Sequence, residues 1–161
     1  MVKGANIVSN FLYGRIIVND PTQKIASRLD FYMMHFCIKN NFALSFVDRL
    51  PTKHTVEDIL FRISDSFLIE YCESFMEPVI YSHGVPQIEN LLNDLDKLYG
   101  LINLIMNFKF VDKVELRFSY AEVDECEYSV CETSVEQMKD IILEQYLSTI
   151  GFPVINVVIA K

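Results

Sequence analysis

The sequence predicts an α+β fold of two layers, with a mixed or mainly antiparallel sheet packed against about four helices. Three observations lead there. Residues 114–123 alternate, with Val114, Leu116, Phe118 and Tyr120 on one side and Glu115, Arg117 and Ser119 on the other, as in a half-exposed antiparallel strand. From Pro86 to about Phe108, Ile88, Leu91, Leu95, Leu98, Ile102 and Ile105 recur at helical spacing. Strand and helix patterns intermix elsewhere without a strict βαβ rhythm, which favours helices laid against one sheet.

Element by element, residues 6–18 end in the β-branched run Ile16-Ile17-Val18, a strand stopped by Asn19-Asp20-Pro21. Asp20 is then an N-cap and Pro21 the first position of a helix to about Lys39, with Ile25, Leu29, Tyr32, Met33 and Phe36 on its apolar face. Phe42–Val47 is a short strand. Thr55-Val56-Glu57-Asp58 resembles a capping box and opens a segment to Met76 that fits a helix, unless Ser64-Asp65-Ser66 splits it and leaves Phe67–Tyr71 extended.

Around the 86–108 helix, Leu92, Tyr99, Leu101, Leu104 and Met106 widen the apolar stripe well beyond a coiled-coil seam, so this helix belongs in the core. The alternation after Val114 continues through Cys126, Tyr128 and Val130, as a hairpin or one long strand. Thr133 or Ser134 caps a last helix to Ile150, Gly151 ends it, and Phe152–Ala160 is a buried final strand.

With 161 residues and no linker or repeat, residues 1–161 form one globular domain, long enough to bury roughly 70% of its unfolded surface. Half the residues (51%) are hydrophobic, yet no window offers the roughly 18 uncharged apolar residues of a membrane span. The opening MVKGANIVSNFLYGR is a poor secretion signal. A soluble, cytoplasmic protein with reduced cysteines is expected.

Formal net charge is −8 and unevenly spread: residues 1–53 carry +4 and the remainder −12. Nucleic acid and anionic membranes are poor partners for such a chain. A basic protein is the natural complement, because opposite potentials speed encounter. Between Phe118 and Met138 stand Glu122, Asp124, Glu125, Glu127, Glu132 and Glu136 with no Lys or Arg, and Tyr120 and Tyr128 lie among them. Tyr120, Glu122, Asp124, Glu125, Glu127, Tyr128 and Glu132 are therefore the expected partner-binding residues, since tyrosine gives rigid amphipathic contact area. Asp65, Glu70, Glu73 and Glu77 form a second candidate surface. Acidity that only keeps a hydrophobic chain soluble is the plainer explanation.

No catalytic motif stands beside these surfaces. Nucleophile elbow, Walker loop, dinucleotide fingerprint and zinc-protease helix are all missing from the sequence. Cys37, Cys72, Cys126 and Cys131 stand at no metal-ligand spacing, and His35, His54 and His83 are isolated. No enzyme activity, metal or cofactor is expected.

Tyr13-Gly14-Arg15 ahead of a helix carrying Ala26-x-Arg28-Leu29, with Phe46 and Arg49 beyond, resembles the opening of the immunity protein 52 family over roughly the first 50 residues. The acidic α+β character is similar to that of immunity proteins in bacterial polymorphic-toxin and contact-dependent growth inhibition systems. That resemblance implies a non-enzymatic inhibitor that neutralises a cognate toxin domain, such as a basic nuclease, by acidic-surface complementarity. Two alternatives stay open: a homodimeric module pairing through the Ile88–Ile105 helix, and a domain holding a small ligand between sheet and helices.

Overall fold

A computed structural model of the chain describes residues 10–50, 53–63, 84–120, 129–148 and 155–161. Six strands form one sheet: β1 (Asn10–Val18), β2 (Leu44–Val47), β3 (Ile59–Ile63), β4 (Val111–Tyr120), β5 (Ser129–Thr133) and β6 (Ile155–Ala160). Their order across the sheet is β2-β3-β1-β4-β6-β5. Every neighbouring pair is antiparallel except β5 and β6. The α+β class and the mixed, mainly antiparallel sheet are as predicted.

The helices are α1 (Leu29–Lys39), α2 (Gly84–Met106) and α3 (Met138–Ser148), with a single helical turn at Gln23–Ala26 before α1. Three helices among the described residues, rather than about four, is a correction, and the segment after Thr55 accounts for it. After Thr55 the chain makes a turn instead of a helix, and the β-branched and aromatic Ile59-Leu60-Phe61-Arg62-Ile63 run enters the sheet between β2 and β1. The predicted Pro21–Lys39 helix is also interrupted, because Arg28 adopts the left-handed conformation at φ 57°. Ile25 and Tyr32, expected inward, are consequently exposed.

The remaining elements differ in detail. The last helix starts at Met138, after a turn through Val135, and not at Thr133 or Ser134. β4 and β5 are separate strands with β6 between them, so no hairpin joins them. The Phe67–Tyr71 alternative lies outside the described residues.

Strand alternation gives the sheet two unlike faces. Leu12, Gly14 and Ile16 of β1, Val114, Leu116 and Phe118 of β4, and Val157 and Ile159 of β6 are buried on one face. The core also takes Leu29, Met33 and Cys37 of α1, Leu95, Leu98, Ile102 and Ile105 of α2, and Met138 and Ile142 of α3. Each such side chain, removed from water, contributes about 1.5–3 kcal/mol before entropy is counted. From Leu95 to Ile105 the periodicity is thus a core pattern, as expected for this helix. Lys139 of α3 pairs with Asp96 of α2 and sits 5.7 Å from the Tyr99 ring centre.

The opposite face carries Tyr13, Arg15, Glu115, Arg117 and Asn156, all partly exposed.

Candidate partner-binding surface

Helix α1 has the sequence LDFYMMHFCIK, apolar on nearly every side. A helix of that composition at the edge of a domain cannot bury everything it carries. Leu29, Met33 and Cys37, spaced four apart, face the core. The α1 side chains Phe31, Tyr32 and Ile38 remain 51%, 48% and 70% exposed.

These exposed groups are ordered by contacts with one another. The left-handed backbone at Arg28 places its guanidinium carbon 4.6 Å from the Phe31 ring centre. Phe31 meets Tyr32 edge-on at 5.7 Å and stacks with His35 at 6.2 Å. Tyr32 reaches Phe108 at 6.1 Å, and Phe108 touches the buried Phe110 at 5.7 Å. A continuous aromatic patch therefore runs from solvent into the core, with Arg28 fixed at its outer end. Aromatic rings and arginines held in place before contact are the side chains that anchor protein interfaces.

A groove of about 390 Å³ opens beside edge strand β2, where Ile25, Phe46 and Val47 are flanked by Asp30 and Asp48. Lys24 also lines it, so the polar groups around it carry both signs of charge.

The buried ionisable groups among the described residues serve structure. Asp58 is 7% exposed. Its Oδ2 accepts the Thr55 amide at 2.9 Å and Arg15 Nε at 2.6 Å. Burial pushes the Asp58 carboxyl up, but the Thr55 amide and the Arg15 guanidinium outweigh it and hold Asp58 below the usual carboxylate value. Lys24 Nζ donates to the Asp58 and Val56 carbonyls. Cys37 is 1% exposed and burial pushes its thiol up to about 12, which keeps it a neutral, inert core group. His54 Nε2 accepts the Leu50 amide at 3.1 Å and so acts as a loop strut. No three His, Cys, Asp or Glu side chains among the described residues are placed to share a metal ion.

Of the residues expected to bind a partner, Tyr120 ends β4 opposite Asn10, and Glu132 is exposed on edge strand β5 beside Val130. Strand β6 separates those two strands. Glu122, Asp124, Glu125, Glu127 and Tyr128 lie outside the described residues, as do Asp65, Glu70, Glu73 and Glu77 of the second surface. Sequence reasoning missed the α1 patch. Its signal was present in Arg28, Phe31, His35 and Ile38, spaced 3, 4, 3, as a second helical stripe opposite Leu29, Met33 and Cys37.

Among the described residues, no helix is long and apolar enough to cross a membrane. No protein-family model, curated protein or solved structure matches the chain.

Proposed function

We propose that this chain is a non-enzymatic inhibitor of the immunity-protein kind, which binds one basic protein domain in the cytoplasm and blocks its working surface. The observation that carries this reading is the ordered aromatic patch of Arg28, Phe31, Tyr32 and His35 on α1. Monomers seldom expose contiguous apolar area without a use for it. Desolvation of Phe31 and Tyr32 in a pocket of the partner supplies most of the affinity.

Charge supplies the partner's character. A chain of net charge −8, with six carboxylates and no cation between Phe118 and Met138, attracts a basic domain from a distance. Glu122, Asp124, Glu125, Glu127 and Glu132 then set the association rate more than the final affinity, with Tyr120 and Tyr128 as further contacts. A basic nuclease cleft, shaped to hold phosphates, suits such an inhibitor.

Stopped-flow association with the captured basic domain tests the division of labour. Reversal of Asp124, Glu125 and Glu127 to Lys slows association and flattens its salt dependence. An unchanged rate removes the acidic segment from the reading.

A further inference from the structure

The face of the sheet opposite the core holds a small cleft of about 170 Å³ whose wall includes Tyr13, Arg15, Lys53, Glu115, Arg117 and Asn156. Strand register builds it. Tyr13 of β1 stands opposite Arg117 of β4, and Arg117 stands opposite Asn156 of β6, so these three residues share one row. One step along, Arg15 stands opposite Glu115. Lys53 comes from the connection between β2 and β3.

Among the described residues of this cleft, donors outnumber acceptors. Arg15 has five N–H groups. Its Nε is spent on Asp58 and one Nη1 hydrogen on Glu115 at 3.3 Å. The other three have no protein partner among the described residues, and neither do the Lys53 ammonium and the Asn156 amide. Glu115, the one carboxylate among the described residues of the wall, is already engaged by Arg15. The buried Asp58, itself fixed by the Thr55 amide, holds the guanidinium in place, so it need not be ordered when a ligand arrives. The cleft is smaller than the roughly 300–1,000 Å³ of sites for drug-sized ligands, which limits the occupant to a small anion or one anionic group.

We infer that this cleft is a binding site for a small oxyanion, a phosphate or carboxylate group held by Arg15, Lys53 and the Asn156 amide. Planar guanidinium donors suit both anions, and charge-assisted hydrogen bonds make the contact strong for its size. The site lies on the sheet, apart from the α1 patch, and stands independently of the partner-binding reading.

The experiment is calorimetric titration of the full chain with inorganic phosphate and, separately, with succinate, each against sodium chloride at matched ionic strength. Saturable binding of either ion, weakened at least tenfold in Lys53→Ala and in Asn156→Ala, is expected, and the ion that binds names the class. Lys53 is exposed, so its replacement leaves the fold intact, which an unchanged melting temperature verifies. Heats no larger than those of chloride for both ions overturn the inference. Binding that survives both substitutions overturns it too.

Discussion

Gly14 and Phe61 face each other across β1 and β3, and the Phe61 ring occupies the space where a β-carbon on Gly14 would stand. Phe61 is fully buried, so the ring has nowhere to retreat. A strand glycine normally weakens a sheet, but here it admits a large aromatic side chain to the middle of the core. Gly100 of α2 plays a similar part for Phe36 of α1, although Phe36 is only half-buried and can swing aside.

The two glycines are therefore expected to respond differently. Gly14→Ala destabilises the fold by about 1–3 kcal/mol or more through overpacking. In Gly100→Ala, a contact of 2.7 Å with the tip of Phe36 is offset by the gain of about 1 kcal/mol in helix propensity, leaving a small net change. Urea denaturation of both variants checks the contrast. Combining Gly14→Ala with Phe61→Leu should cost less than the two changes summed.

Asp58 and Arg15 give a pH dependence of defined sign. The Asp58 carboxyl titrates lower in the folded chain than its ordinary value of 3.8, so its ionised form stabilises the fold. That contribution is complete above the unfolded value and is lost as pH falls through the folded one. Asp58→Asn is expected to cost about 1–3 kcal/mol near neutral pH, since it weakens the hold on a partly buried guanidinium. The stability gap between wild type and variant should narrow as the pH falls below the ordinary value of 3.8 and through the lower folded one. A gap that stays constant over that range contradicts the assignment.

Cysteine accessibility checks the packing of α1. In a Cys72→Ser/Cys126→Ser chain, the half-buried Cys131 on edge strand β5 should react with a maleimide in the native state. Cys37, with its thiol raised to about 12, should react only on unfolding. Native labelling of Cys37 would show that α1 detaches readily from the core.

Arg28 links backbone strain to the proposed recognition surface. Its left-handed φ costs about 1–2 kcal/mol in a residue with a β-carbon, and the geometry sets the guanidinium over Phe31. Arg28→Gly should leave the melting temperature unchanged or raise it, while it weakens the affinity for the captured domain. Loss of stability together with affinity would instead make Arg28 a purely structural residue.

Much of the architecture is legible in the sequence where burial alone decides it. The Val114-Leu116-Phe118 alternation and the Leu95-Leu98-Ile102-Ile105 stripe report which face meets the core, and both are buried as expected. What sequence conceals is which partner a segment finds. The Thr55–Asp58 signal does form: the Asp58 carboxylate accepts the Thr55 amide, and the Asp58 amide reaches the Thr55 carbonyl at 3.2 Å. The carboxylate half of a capping box is thus present, but the backbone bond closes a turn rather than opening a helix, because Ile59–Ile63 has a place waiting between β2 and β1. The insertion of β6 between β4 and β5 is equally long-range. Tyr32 was misplaced because α1 is apolar on two sides, and periodicity alone does not say which side faces water. Nor does it align Arg15, Lys53 and Asn156, which come from distant parts of the chain to one cleft.

The most direct measurement is a matched affinity capture with the tagged full chain and its Phe31→Ala/Tyr32→Ala variant, from the lysate of the source organism at low and moderate salt. Phe31 and Tyr32 are half-exposed, so the variant should fold, as its circular dichroism and melting temperature will show. Partner binding through the α1 patch predicts one basic domain held by the wild type, weakened by salt, and lost from the variant by a factor corresponding to about 2 kcal/mol or more. Equal capture by both chains, or recovery of nothing but further copies of the chain itself, would contradict it.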